Sequence, residues 1–274
     1  MANVFRRIQR RILIRLVRLV QKSLIRYQYG MISKLPINDN ELLFLNYGYL
    51  DGETGALTLN PEEEPFRTSI HLYHRTAALG SPQDKDVLEV GCGRGGGSAH
   101  IMRAFQPRSM TAIDLCASGI DFCRRHFASS GVRYLTGDAE SIPLPDAAFD
   151  LVINVESSHC YPKLDRFLAE VHRVLRPGGL FCYTDFRARD QMNGWRAALA
   201  ASGLEMIQEE DITAPVVAAL ASDNERKLGL IETKVPLRMR DYFAKFAAIE
   251  GAPLNTAFKN GTAQYWVFVM RKSR

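Results

Sequence analysis

The chain has 274 residues, 46% of them hydrophobic and 24% charged, so it is long enough to bury its own core and has the balance of a soluble globular protein. The net charge of +5 arises in residues 1–34, which carry nine Lys or Arg and no acid, while the other 240 residues have 26 basic and 30 acidic side chains. This acidic body argues against a nucleic-acid partner, because phosphate binding needs clustered cations. Five scattered cysteines without a CxxC pair indicate reduced thiols in a cytoplasmic protein and no zinc site.

The first predicted element is a basic amphipathic helix over residues 5–29, a stretch without Pro or Gly. Cations recur every three or four residues along one side, and apolar residues occupy much of the rest. These cations are Arg7, Arg11, Arg15, Arg18, Lys22 and Arg26. They interrupt the apolar run of about twenty residues that a membrane span needs. Two interpretations are equally favoured, a helix on a membrane surface and a helix packed on the domain or a second subunit, and a transit peptide is less favoured.

Residues 35–80 form an entrance segment, with an apolar and aromatic stretch at 42–51 and a predicted helix over residues 67–79. This helix has His71 and His74 on one face. No cluster of Cys or acidic residues accompanies the two histidines in the sequence, so helix packing is favoured over a metal site.

A glycine-rich turn follows the first strand of the core, in the stretch DVLEVGCGRGGGS at residues 86–98. The glycines at Gly91, Gly93 and Gly96 permit a tight turn and let a ligand approach closer than a Cβ would allow. This loose GxGxxG pattern alone fits NAD, FAD or S-adenosylmethionine (SAM).

From residue 87 onward the pattern alternates between strands and helices. Strands are predicted at 87–90, 110–113, 132–135, 149–154, 180–186, 204–209 and 265–271, helices at 98–105, 119–127, 164–175 and 193–201, and residues 211–261 are mostly helical. The alternation predicts an α/β fold with a seven-stranded, mainly parallel sheet, helices on both faces and right-handed crossovers. We divide the chain into the basic helix (1–34), the entrance segment (35–80), the core (81–210), a helical insertion (211–262) and a final strand of the core sheet (263–274).

Three further segments follow the glycine-rich turn in order. They are Asp114 at the end of the second strand, GDAESIPLPDAAFDLVIN at 137–154 and HRVLRPGGLFCYTDF at 172–186. In this order and spacing the chain resembles the class I SAM-dependent methyltransferases. The resemblance implies a Rossmann-like fold, SAM as the cofactor, and a lid over the acceptor site formed by residues 211–262. The GDAE and RPGG segments disfavour an NAD enzyme.

The resemblance also implies which residues bind SAM. Asp114 would accept hydrogen bonds from both ribose hydroxyls, since two oxygens on a short side chain suit a cis-diol. Asp138 and Ala139 would bind the adenine, and Asn154 and Val155 would lie near the transferring methyl. The complete implied set is Glu89, Gly91, Gly93, Asp114, Leu115, Asp138, Ala139, Asn154 and Val155.

The loop after the fourth strand, NVESSHCYP at residues 154–162, contains the candidate catalytic residues. A hydroxyl acceptor loses a proton as it is methylated, and a neutral imidazole with a reference pKa of about 6.5 can take that proton. His159 is therefore the candidate general base, and Glu156 is the candidate group that orients it. The alternative is that His159 only packs the loop.

Four motifs narrow the resemblance to one branch of the family. They are HLYHR at 71–75, the GGG turn, NVESSHCYP, and RFLAEVHRVLRPGG at 166–179. Together they are similar to the phthiotriolone/phenolphthiotriolone dimycocerosate methyltransferases and related bacterial lipid or polyketide O-methyltransferases. This similarity implies methyl transfer to a hydroxyl of a lipophilic small molecule. The long basic amino terminus is a departure from this branch, but a lipophilic acceptor would fit a helix of residues 1–30 on the cytoplasmic face of a membrane, and packing on another subunit is the alternative.

Two other functions stay open. One is a C-methyltransferase that acts on a prenyl or terpenoid acceptor, in which the aromatic residues Tyr242, Phe243 and Phe246 would stabilise a carbocation. The other is a SAM-binding assembly module that transfers no methyl group.

Overall fold

The computed structural model describes residues 40–273 together with Ser23 and Gly30. The basic helix predicted over residues 5–29 lies, apart from Ser23, outside the described residues. The described α-helices are α1 (Arg67–Ala78), α2 (Gly96–Phe105), α3 (Ala117–His126), α4 (Leu164–Val174), α5 (Met192–Ala200), α6 (Thr213–Ser222), α7 (Asn224–Lys234), α8 (Arg240–Phe246) and α9 (Pro253–Lys259). The strands are β1 (Asp86–Val90), β2 (Ser109–Asp114), β3 (Arg133–Thr136), β4 (Phe149–Val155), β5 (Leu175–Ala188), β6 (Leu204–Asp211) and β7 (Ala263–Lys272).

The seven strands form one sheet in the order β3-β2-β1-β4-β5-β7-β6. Strands β1 to β5 pair in parallel, and β7 lies antiparallel between β5 and β6. The predicted α/β fold with a mainly parallel sheet is therefore confirmed. The strand order reverses beside β1, where β2 lies on one side and β4 on the other, and ligands of such sheets bind at this kind of switch point.

Helices cover both faces of the sheet, since successive residues of the central strands are buried although they point to opposite faces. Val87 packs with α1 in one core cluster, while its neighbour Leu88 packs with α4 and α5 in the other. In β4, Leu151 belongs to the first cluster and Val152 to the second. All four side chains are 0% exposed, so these central strands are buried on both sides.

Strand β5 begins earlier than the sequence predicts. The sequence pattern predicts a strand that begins only at residue 180, after Pro177 and two glycines. In the structure Leu175 already pairs with Phe149, and the register shifts before Leu180 pairs with Leu151. The RPGG segment is thus an irregular part of the strand.

Two peripheral segments meet beyond the carboxyl ends of the central strands. The Tyr49 N–H donates to the Thr68 carbonyl of α1 at 3.0 Å, and the Leu50 N–H donates to the Pro215 carbonyl of α6 at 3.1 Å. The entrance segment therefore connects α1 to the helical insertion, whose helices α6 to α9 lie between β6 and β7. No helix in the described part of the chain has the length and hydropathy needed to cross a bilayer.

Candidate active site

The glycine-rich turn after β1 is closed by the carboxylate of Asp114 at the end of β2. The Gly93 N–H donates to Asp114 Oδ2 at 2.9 Å, and the Cys116 N–H donates to Oδ1 at 2.8 Å. Burial raises the pKa of Asp114, while these backbone hydrogen bonds oppose the shift. Each oxygen has a second lone pair, so the side chain can still accept hydrogen bonds from a ligand.

Gly91 has a positive φ of +82° and leaves room that no other residue would leave. A Cβ at this position would collide with the Ser157 hydroxyl and approach the Tyr161 hydroxyl to 2.8 Å. Gly91 therefore lets Ser157 and Tyr161 pack against the turn, and it lines a cavity of about 930 Å³, counting the space that is open to solvent.

Seven of the nine residues predicted to bind SAM line this cavity. They are Gly91, Gly93, Asp114, Leu115, Asp138, Ala139 and Val155. The cavity offers a cradle without Cβ atoms and a carboxylate with free acceptor capacity, so these residues fit an adenosine with an amino-acid tail. Direct contact of each one with SAM stays a prediction.

The other two predicted SAM residues lie behind the cavity wall. Glu89 is 0% exposed and accepts a hydrogen bond from the Ser98 hydroxyl at the start of α2. Asn154 Nδ2 donates to the Val90 carbonyl and to Ser157 Oγ, both at 2.7 Å. Burial raises the pKa of Glu89 to about 7. Both side chains thus hold the turn and the β4 loop together from within.

Part of the segment predicted as an N-terminal cap and entrance, residues 35–80, lines the cavity, although none of its residues was predicted as a site residue. Leu43, Phe44, Leu45 and Asn46, which we call the covering segment, are among the residues that line it. The apolar and aromatic composition of residues 42–51 is a signal of burial, but it does not reveal what the segment packs against. Arg94 holds this covering segment in place. Its Nε donates to the Leu42 carbonyl, and its guanidinium stacks on Phe122 at 3.7 Å from the ring centroid.

Glu156 lines the same cavity and has a positive φ of +49°. Its Oε2 accepts hydrogen bonds from the Tyr47 N–H at 2.9 Å and from the Tyr265 hydroxyl at 2.8 Å. Burial raises the pKa of Glu156 to about 8. The side chain is therefore mostly protonated at neutral pH, and it meets a ligand as a neutral carboxylic acid.

His159 is paired with Asp185 rather than with Glu156. Asp185 Oδ1 lies 2.9 Å from His159 Nδ1, and Asp185 Oδ2 accepts the His159 backbone N–H at 2.9 Å. The prediction that Glu156 orients His159 is wrong at the level of contacts, because Glu156 is turned towards Tyr47 and Tyr265. Asp185 lies 26 residues farther along the chain, so the loop motif gave no signal of it.

The charge state of this pair follows from its burial and contact. Burial would lower the pKa of His159, but the Asp185 carboxylate outweighs this effect and raises that pKa well above its usual value. Burial likewise opposes ionisation of Asp185, but His159 and Arg187 hold its pKa well below the usual range. The pair is thus an imidazolium and a carboxylate at neutral pH. His159 lines a neighbouring cleft with Phe186 and does not line the cofactor cavity.

A second cavity of about 690 Å³ adjoins the first. The two cavities share Phe44, Leu45 and Asn46, so the covering segment forms a wall of both. The other lining residues are mainly apolar side chains of the helical insertion and include Leu230, Ile231, Val235, Phe243, Phe246 and Ala247. Two of the three predicted lid aromatics, Phe243 and Phe246, therefore face this space, and Tyr242 packs on Phe243 with ring centroids 5.4 Å apart.

The histidines of α1 have separate partners. His71 Nδ1 lies 2.6 Å from the Thr54 hydroxyl, and His74 Nδ1 lies 3.1 Å from His100 Nε2. Within residues 40–273, no group of three or more His, Cys, Asp or Glu side chains is arranged to hold a metal ion.

Comparisons with known proteins agree on one family. A family model described as methyltransferase domain matches residues 88–183. The chain is 37% identical over 251 residues to phthiotriol/phenolphthiotriol dimycocerosates methyltransferase of Mycobacterium tuberculosis, covering 92% of this chain and 93% of the relative. It is 38% identical over 266 residues to fatty-acid O-methyltransferase of Mycolicibacterium smegmatis, covering 97% of this chain and 94% of the relative.

A solved structure shares the fold. The geranyl diphosphate C-methyltransferase of Streptomyces coelicolor, solved with S-adenosyl-L-homocysteine, matches with a TM-score of 0.65 at 19% identity. The match covers 92% of this chain and 97% of that protein.

Proposed function

This chain belongs to the SAM-dependent methyltransferase family, and on that premise we propose that it transfers a methyl group from SAM to an oxygen atom of a lipophilic small molecule. The observation that carries the proposal is the second cavity, whose mainly apolar wall adjoins the cofactor cavity through Phe44, Leu45 and Asn46. An apolar pocket of this kind favours a lipid acceptor over a water-soluble one. The names of the two mycobacterial relatives support the same class of acceptor.

The chain contributes mainly by positioning. When bound, SAM supplies a methyl group on a positively charged sulfur. Gly91 and Gly93 allow a close approach of the backbone, while Asp114 offers acceptor oxygens at the mouth of the cavity. Val155 and Glu156 form the part of the wall at the end of β4, where we place the reacting centre. Holding reacting groups in line contributes roughly 7–11 kcal/mol in favourable systems.

A hydroxyl acceptor also needs a base, and two side chains are proposed for it. His159 is held by Asp185 at 2.9 Å as an imidazolium, so it can act as the base only after it has lost a proton. Glu156 lines the cofactor cavity itself, which favours it by position. Loss of a general base typically lowers turnover about 10²- to 10⁴-fold. His159→Ala or Glu156→Gln should cause such a loss with a hydroxyl acceptor and leave SAM binding intact. If a variant keeps full turnover, the residue it replaces is not the general base.

The direct test is transfer of labelled methyl from SAM to lipids. Purified full-length protein is incubated with methyl-labelled SAM and either a long-chain fatty acid, a fatty alcohol, or a prenyl diphosphate. We expect label in the organic phase with the acid or the alcohol. Label in the prenyl product alone would establish C-methylation instead, and absence of label from every lipid would favour a SAM-binding module.

We further propose that residues 1–30 hold the protein at the cytoplasmic face of a membrane. A basic helix at an anionic surface would bring the acceptor cavity close to its lipid supply. Full-length protein should then co-sediment with anionic liposomes, and a variant lacking residues 1–30 should stay in the supernatant. If neither form binds liposomes and only the full-length form is a dimer by mass, the segment packs subunits together.

A further inference from the structure

Lys227 on α7 is a buried cation without a hydrogen-bond partner. Its side chain is 12% exposed, and its Nζ is fully buried with no acceptor within bonding distance. The nearest carboxylate oxygen, Asp223 Oδ2, lies 3.6 Å away, which is too far for a hydrogen bond. The Tyr47 ring centroid lies 5.9 Å from Nζ. A buried ammonium in this state costs free energy unless a ligand satisfies it.

Asp223 cannot neutralise Lys227 alone, because Arg226 also binds it. Arg226 Nε donates to Asp223 Oδ1 at 2.5 Å, and a second guanidinium nitrogen donates to Oδ2 at 2.7 Å. A bidentate pair between an arginine and a carboxylate is stronger than a single contact between a lysine and a carboxylate at 3.6 Å. One carboxylate therefore faces two cations, and the cluster has a surplus of one positive charge.

Lys227 and Arg226 both line the second cavity, and they are the charged residues among the described ones that line it. The rest of the wall is mainly aliphatic and aromatic. Glu156, across Tyr47, is near enough to influence the Lys227 charge, but its own pKa of about 8 leaves it mostly neutral at neutral pH. An apolar space with one spare cation fits a ligand with an alkyl chain and a single negative charge.

Building on the proposed function, we propose that Lys227 binds the carboxylate of a long-chain lipophilic acid, whose alkyl chain lies in the second cavity and whose carboxylate is the methyl acceptor. The charge count argues against a diphosphate, which has several negative charges. It also argues against a neutral alcohol, which would leave the ammonium without a counter-charge.

The chemistry of this acceptor balances without a proton transfer. A carboxylate oxygen forms a bond to the methyl carbon with its own electron pair, while the carbon–sulfur bond breaks and its pair stays on sulfur. The negative charge of the acid and the positive charge of the sulfonium are both removed, and the product is a methyl ester. The carboxylate acceptor thus needs no general base, unlike a hydroxyl.

Binding to the full-length protein tests the proposal without relying on turnover. The probes are hexadecanoic acid and 1-hexadecanol, which differ in charge, titrated into wild type, Lys227→Met, Lys227→Arg and the control Lys245→Met. Lys245 lies on α8, and its side chain is 56% exposed. Lys245→Met therefore removes the same charge as Lys227→Met, but from a residue that does not line the second cavity. We expect Lys227→Met to weaken binding of the acid at least about tenfold, a loss of roughly 1.4 kcal/mol, while binding of the alcohol stays the same. Lys227→Arg and Lys245→Met should bind both probes like wild type.

Equal binding of the acid by wild type and Lys227→Met overturns the proposal, and so does a parallel loss for acid and alcohol. SAM binding and thermal unfolding show whether each variant is folded. Lys227→Met should unfold at the same or a higher temperature, because it removes a buried ammonium that makes no hydrogen bond and leaves Asp223 paired with Arg226. Methyl transfer to hexadecanol but never to hexadecanoic acid overturns the carboxylate acceptor and leaves the proposed function standing. Transfer to no lipid, with the charge-selective binding intact, overturns the proposed function and keeps the binding site.

Discussion

Glu156 adopts a φ of +49° that turns its side chain inward between Tyr47 and Tyr265. Such a conformation is uncommon for a residue with a side chain and persists only where its surroundings hold it. Tyr47 lies 109 residues before Glu156 in the sequence, and Tyr265 lies 109 residues after it. The motif NVESSHCYP therefore identifies the loop, but not which way Glu156 points.

The ionisation of Glu156 should give opposite pH profiles for two acceptors. Its pKa is raised to about 8, so it is neutral below that pH and anionic above it. With hexadecanoic acid, turnover should fall as pH rises through about 8, because an anionic Glu156 repels the carboxylate. With a hydroxyl acceptor it should rise over the same range, because the ionised side chain can accept the proton. Glu156→Gln should remove both inflections, and wild-type profiles that run in parallel would contradict this role.

The close packing at Gly91 predicts what an alanine would do there, and a second glycine with a similar φ provides a matched control. Gly91→Ala should abolish SAM binding, since the Cβ collides with Ser157 and needs a backbone at φ +82°. Gly251 has a similar φ of +81° but nothing within 4 Å of an added Cβ. Gly251→Ala should therefore show the strain of about 1–2 kcal/mol in unfolding experiments and bind SAM normally by calorimetry. Equal SAM affinity in the two variants would mean that the space at Gly91 is not needed.

At the level of elements, α1 and α2 pack closely because Gly97 on α2 has no side chain. A Cβ at Gly97 would overlap the Tyr73 ring of α1. This contact holds α1 against the helix that follows the glycine-rich turn. The position of the covering segment depends on it in turn, because Tyr49 of the entrance segment is hydrogen-bonded to α1.

Gly97→Ala should destabilise the fold by about 1–3 kcal/mol through overpacking. Gly194→Ala on α5 is the control, because nothing lies within 4 Å of its added Cβ. That substitution should stabilise the fold by up to about 1 kcal/mol, since Ala is the better helix former. Urea unfolding monitored by circular dichroism measures both values. Equal stability changes in the two variants would show that the helices can move apart freely.

The sequence predicts these elements well because the central strands are buried on both faces and several helices are amphipathic. The seven predicted strands match the observed ones within a few residues, and Asp114 and Val155 lie at strand ends where a parallel sheet presents its ligand site. What it does not predict are contacts made across the fold. No local sequence pattern shows that Asp185 lies beside His159. Nor does a local pattern show that Arg226 binds the same Asp223 carboxylate that Lys227 faces.

Across the whole molecule, two cavities meet at one covering segment, residues 43–46, beyond the carboxyl ends of β1, β2 and β4. The first cavity has the polar acceptors and glycines that suit SAM. The second is mainly apolar and is built by the helical insertion together with the entrance segment. We therefore expect the α/β core to bind the cofactor and the peripheral segments to select the acceptor.

The most direct test of oxygen methylation is the structure of the product. Full-length protein is incubated with SAM and a bacterial lipid extract, and the modified lipid is characterised by high-resolution mass spectrometry with fragmentation and alkaline hydrolysis. We expect a lipid whose mass is greater by one CH₂ unit and whose added methyl group lies on oxygen; if the acceptor is a carboxylate, alkali releases this methyl group as methanol. A methyl group on carbon, or an extract in which no lipid changes, would contradict this expectation.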